Sequence, residues 1–206
     1  MKKISVFFLL LALTIAITAC NNNAVNDPEE QQLYNDYPSQ EQSRVYEIIN
    51  ERVVIGQGTE WELDGLLTLP IGAGGTVPAV VLVHGSGPAD MDATIFENRP
   101  FLEIAEYLAA NGIAVIRYNK RTFTHGAEMI RQLGGSLTVW AETIEDAILA
   151  TEILRADPRI DENRVFILGH SLGGALAPRI HAYGGDFAGL ILFAGSPRSL
   201  LEIIFD

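Results

Sequence analysis

Cysteine is nearly absent from this 206-residue chain: Cys20 is the only one, so no intrachain disulfide can form. Basic residues are also scarce, 14 Lys and Arg against 26 Asp and Glu, and the formal net charge is −12. Phosphate backbones are gripped by clustered cations, so a nucleic-acid partner is not expected. The acidity reads as plain solubility. Histidine occurs only four times, and no His, Cys or carboxylate cluster has metal-ligand spacing. Neither a metal nor another cofactor is therefore expected. Internal repeats are lacking too. Apolar residues reach 48%, enough to bury a core, and the length suits one domain.

One long apolar run stands out. Residues 4–19 are nearly all apolar and follow Lys2 and Lys3. The run is short for a membrane span, which needs roughly 20 residues, and suits a secretory leader. Ile17-Thr18-Ala19-Cys20 resembles a bacterial lipobox. That resemblance implies cleavage before Cys20 and lipidation of its thiol, which would tether the protein to a membrane on the extracytoplasmic face. An uncleaved anchor helix is the other reading. Residues 1–19 are thus expected to be a lipoprotein signal peptide. Residues 20–43, rich in Asn, Gln, Asp, Glu and Pro, are expected to be a disordered tether.

From residue 44 the pattern is that of a folded domain. Residues 51–55 read as a strand and 59–70 as its hairpin partner, followed by the turn Gly72-Ala73-Gly74-Gly75. Residues 79–83 form a continuous apolar run, as in a parallel strand covered on both faces. A helix is predicted over 100–111, with Pro100 suiting its first turn and Gly112 its stop. Residues 113–116 are the next strand. The stripe Ile144, Ala147, Ile148, Thr151 and Leu154 predicts a helix over 138–155, ended by Asp157-Pro158. Strands at 164–168 and 188–194 flank a further helix that starts near residue 172. Strands alternating with helices imply an α/β fold with a mostly parallel sheet.

Between the strand at 164–168 and its helix lies Gly169-His170-Ser171-Leu172-Gly173, which fits the G-x-S-x-G nucleophile elbow. A serine on such a turn is exposed at the top of the sheet. It needs a base to take its proton and preplaced donors for the oxyanion. One donor is the Leu172 N–H. The other is expected from the loop after the first parallel strand, His84-Gly85-Ser86-Gly87-Pro88, at Ser86. The two motifs lie about 85 positions apart, in the order the elbow chemistry requires.

Together with Arg117-Tyr118-Asn119-Lys120-Arg121-Thr122, these motifs resemble bacterial α/β-hydrolases of the esterase D and dienelactone-hydrolase group. The likeness spans roughly residues 50–200. It implies the α/β-hydrolase fold, helices on both faces of the sheet, and hydrolysis of small-molecule carboxylic esters through an acyl-enzyme. Asn119 stands where such proteins often carry Asp. In this fold the acid and histidine follow the serine, yet His181 is the only later histidine. Ten residues of helix put it roughly 15 Å from Ser171, and Asp186 reads as a turn residue. Residues 44–206 are therefore expected to be a partial domain, lacking the last two strands, the triad acid and the triad histidine, and weakly active or inactive alone. A non-catalytic surface lipoprotein or binding module is the alternative. His84, Lys120, Arg121 and His125 are possible substrate contacts. The plainer reading has the two histidines packing, and the two cations pairing with Asp90, Asp92 or Glu97.

Overall fold

A side chain in a strand points to the opposite face from its neighbours, so an unbroken apolar run must be covered on both sides. A computed structural model, which describes residues 45–196 and 198, places that run at the centre. β3 (Val77–Val83) lies between β4 (Ala114–Tyr118) and β5 (Ile160–His170), parallel to both. Val80 and Leu82 face one layer, with Phe101 and Ala105. Ala79, Val81 and Val83 face the other, with Ile144, Ala147, Ala150, Leu154, Leu176 and Ile180. Each fully buried Val, Leu, Ile or Phe side chain among them stabilises the fold by about 1.5–3 kcal/mol.

The sheet order is β1-β2-β4-β3-β5-β6. β1 (Ile48–Ile55) and β2 (Leu63–Pro70) form an antiparallel hairpin, from Ile48 opposite Pro70 to Ile55 opposite Leu63. β2 then pairs antiparallel with β4, and β6 (Gly189–Phe193) pairs parallel with β5. Helix α1 (Pro100–Ala110) covers one face. Proline at its first turn gives up an N–H that the helix cannot use there. Two short helices follow β4: α2 (Arg121–Thr124) and α3 (Gly126–Leu133). α4 (Glu145–Ala156) and α5 (Leu172–Ile180) cover the other face. This is an α/β-hydrolase fold.

Several expectations are sharpened. β1 begins three residues earlier than read, at Ile48, and β2 begins at Leu63 because Gly56 and Gly58, both at positive φ, form the turn before it. β5 starts at Ile160, where it joins Val77 before a register shift. The helix read over 138–155 opens with a wide turn, Trp140–Ile144, before α4. The signal peptide, Cys20 and the whole of the tether lie outside the described residues. Among the described residues no helix is long and apolar enough to cross a membrane.

Candidate active site

At the end of β5 the chain must turn sharply into α5, and glycine makes the turn possible. A Cβ on Gly169 would lie 2.2 Å from the Gly173 carbonyl oxygen, and one on Gly173 would lie 2.4 Å from the Val83 carbonyl oxygen. Ser171 sits between them at φ 52°, ψ −114°. A side chain at positive φ costs about 1–3 kcal/mol and persists only where the surroundings hold it. Two hydrogen bonds do so: Ser171 N–H donates 2.9 Å to Phe193 O in β6, and Ala175 N–H donates 3.0 Å to Ser171 O.

The loop after β3 closes on this turn. A Cβ on Gly85 would lie 3.1 Å from the Ser171 Cβ. A cleft of about 320 Å³ opens beside the serine, lined by His84, Ser86, Phe101, His170, Ser171 and Phe193 among others. A second of about 130 Å³ is lined by Ser86, Ser171 and Leu172, with Ala194 and Ser196. Ser86 and Leu172 therefore both flank Ser171. Leu172 is the first residue of α5, so its N–H has no acceptor within the helix and lies at the positive end of the helix dipole.

His84 is buried in the wall of the larger cleft, stacked on Phe101 at 4.6 Å between centroids. Its Nε2 lies 2.8 Å from Tyr118 O. A carbonyl only accepts, so Nε2 carries the proton and Nδ1 is a bare lone pair, without a partner. Burial pulls the His84 pKa down to about 4, although the Tyr118 carbonyl opposes the shift. The ring is neutral at pH 7.

The other expected contacts are placed elsewhere. Lys120 is 2% exposed, and its Nζ donates 2.7 Å to Gly85 O and 2.5 Å to Glu142 Oε1. Arg121 is equally buried and donates to Asp146 and Glu145, with Trp61 beneath it at 5.8 Å. Neither cation lines the clefts beside Ser171, and neither pairs with Asp90, Asp92 or Glu97. Asp92 accepts from Arg117 Nε at 2.9 Å instead. Burial pushes Asp146 up to about 6, while Arg121 draws it down. His125 Nε2 meets Glu62 O at 2.8 Å, with Trp61 edge-on at 5.5 Å, and it lines neither cleft beside Ser171. His181 Nδ1 accepts from Phe187 N–H at 2.9 Å. Among the described residues Ser171 Oγ makes no hydrogen bond, and no group of three or more His, Cys, Asp or Glu is placed to hold a metal ion. Glu142 was not anticipated. It reaches Lys120 from the wide turn, 22 positions along the chain, and no spacing rule links the two.

A family model described as serine aminopeptidase, S33 (Hydrolase_4) matches residues 77–199, which contain both the β3 loop and the elbow. The chain belongs to this hydrolase family. Esterase EstD of Thermotoga maritima is 46% identical to it over 144 residues, 70% of this chain. The chain spans 33% of that relative's length. Solved structures agree on the fold. A dienelactone hydrolase from Anabaena variabilis matches with a TM-score of 0.52 at 24% identity, covering 73% of this chain and 65% of that one. A dienelactone hydrolase-like promiscuous phosphotriesterase from metagenomic libraries matches with 0.53 at 19%, covering 75% and 63%.

Proposed function

We propose that this protein is a serine hydrolase of small carboxylic esters that works through an acyl-enzyme. Ser171 Oγ adds to the ester carbonyl carbon. The N–H groups of Ser86 and Leu172 receive the oxyanion, the alcohol departs, and water then releases the acid from Ser171. A general base must take the Ser171 proton, and none among the described residues is hydrogen-bonded to do it. The reading therefore assigns the nucleophile and the oxyanion hole alone. The observation that carries it is Ser171 at φ 52° on the N-terminus of α5, with Ser86 and Leu172 on either side of it. The family description speaks of peptides, whereas the 46% identical relative is named an esterase. That relative favours an ester as substrate. The N-terminal sequence supports a further part of the reading: lipidated Cys20 anchors the protein to a membrane on its extracytoplasmic face.

A fluorophosphonate probe tests the nucleophile. The full chain should carry one phosphonyl adduct, formed slowly because no base among the described residues is hydrogen-bonded to the serine, on the tryptic peptide containing Ser171, and Ser171→Ala should carry none. An adduct on another serine refutes the assignment. No adduct at all favours a non-catalytic binding module.

A further inference from the structure

We propose that Lys120 is the positioning residue of the oxyanion hole, acting through the Gly85–Ser86 peptide. The inference rests on the reading of Ser171 as nucleophile. A trans peptide unit is planar, and its C=O and N–H point in opposite directions; no cis peptide occurs among the described residues. Fixing the Gly85 carbonyl therefore fixes the Ser86 N–H. The buried Lys120 ammonium does this, donating 2.7 Å to Gly85 O while Glu142 anchors it at 2.5 Å. Lys120 lies on the interior side of the loop and Ser86 on the cleft side, exposed beside Ser171. The amide is thereby turned toward the serine. An ammonium at the carbonyl end also polarises the peptide unit, which makes its N–H a better donor to a developing anion.

The rest of the segment holds the same loop. His84 Nε2–H donates to Tyr118 O at 2.8 Å, Lys120 N–H to Ala89 O at 2.9 Å, and Met91 N–H to Asn119 Oδ1 at 2.8 Å. Arg117 Nε donates to Asp92 Oδ1 at 2.9 Å. Residues 117–120 thus grip residues 84–92 at five points, and only Lys120 touches the peptide that carries the Ser86 donor. Asn119 serves as an uncharged acceptor for Met91, so an asparagine there is enough to keep the loop attached.

Lys120→Met keeps the length and removes the charge and the donor. The full chain and the variant are compared by fluorophosphonate labelling of Ser171, with the maximal labelling rate separated from the probe's half-saturating concentration. Removing a whole oxyanion donor costs about 10²–10³ in rate; misaiming one should slow the maximal rate about 30-fold or more, with half-saturation unchanged. The Ser86 amide proton should also move upfield in the NMR spectrum, since its peptide unit loses the ammonium. If Lys120→Met does not fold, Lys120→Gln is read by the same assay, and a drop of about tenfold is expected because the amide donates without charge. An unchanged rate or an unshifted Ser86 amide in a folded variant overturns the proposal. So does a loss confined to half-saturation, which would place Lys120 in general support of the cleft. A wild-type chain that takes no label overturns the Ser171 reading itself, and this inference with it.

Discussion

Acid should destabilise this domain through His84, and the size of the effect follows from its burial. The ring has an ordinary pKa of 6.5 when unfolded and about 4 when folded. A depressed folded value means that the unfolded chain binds the extra proton between those limits, so stability rises with pH across that window. The full stabilisation is present above pH 6.5 and is lost as pH falls toward 4. A difference of that size corresponds to about 3 kcal/mol in all, of which about 2 kcal/mol is gone at pH 5. Asp146 titrates in the opposite sense. Its folded pKa is raised to about 6, so its protonation favours the folded state as pH falls. The two must be separated by a difference of differences. His84→Gln keeps a donor for Tyr118 O and cannot titrate. Urea unfolding of both proteins at pH 7 and pH 5 should show the wild type losing about 2 kcal/mol more than the variant. Parallel losses in the two proteins would refute the claim that a neutral imidazole is sealed into the cleft wall.

Other perturbations have equally definite outcomes. Gly169→Ala drives a Cβ into the Gly173 carbonyl, and should cost about 3 kcal/mol or abolish folding, read by thermal melting. Asp146→Ala leaves Arg121 buried with only the half-exposed Glu145, and should cost about 3 kcal/mol in urea unfolding. The double change Arg121→Met with Asp146→Ala should recover part of that loss, because no buried charge is left unpaired. Cys20→Ser should abolish incorporation of labelled fatty acid and release the protein from membranes; equal labelling of the variant sinks the lipobox reading.

Local rules located most of the fold. β3 was recognisable because a run buried on both faces has no polar alternation to confuse it, and α1 because proline and glycine bracket it. The elbow was visible for a related reason: its glycines are demanded by backbone contacts within a few residues. α3 is not evident from sequence because it is only eight residues long: Met129, Ile130 and Leu133 stand at helical spacing, but only Met129 is buried. The wide turn at Trp140–Ile144 has no signal of its own in the sequence, because it ends at Ile144, where the helical stripe begins. Lys120, Arg121 and His125 were the harder cases. A cation near a candidate site looks the same in sequence whether it faces a substrate or the interior. What decided their roles were Glu142, Asp146 and Glu62, partners brought in by the tertiary fold from 22, 25 and 63 positions away.

The hydrogen bond from Ser171 N–H to Phe193 O joins a positive-φ residue of the site to the strand at the sheet's margin among the described residues. β6 is held on one side by β5, and Leu190, Ile191, Leu192 and Phe193 are 39–52% exposed among the described residues. Marginal strands open more readily than the centre of a sheet. When β6 frays, Ser171 loses the acceptor that holds it at φ 52° and relaxes. Reactivity and foldedness are then separate quantities with separate midpoints. Denaturant should silence Ser171 toward the probe while the circular dichroism of the helices is still intact, so the protein can be folded by every spectroscopic measure and already chemically inert.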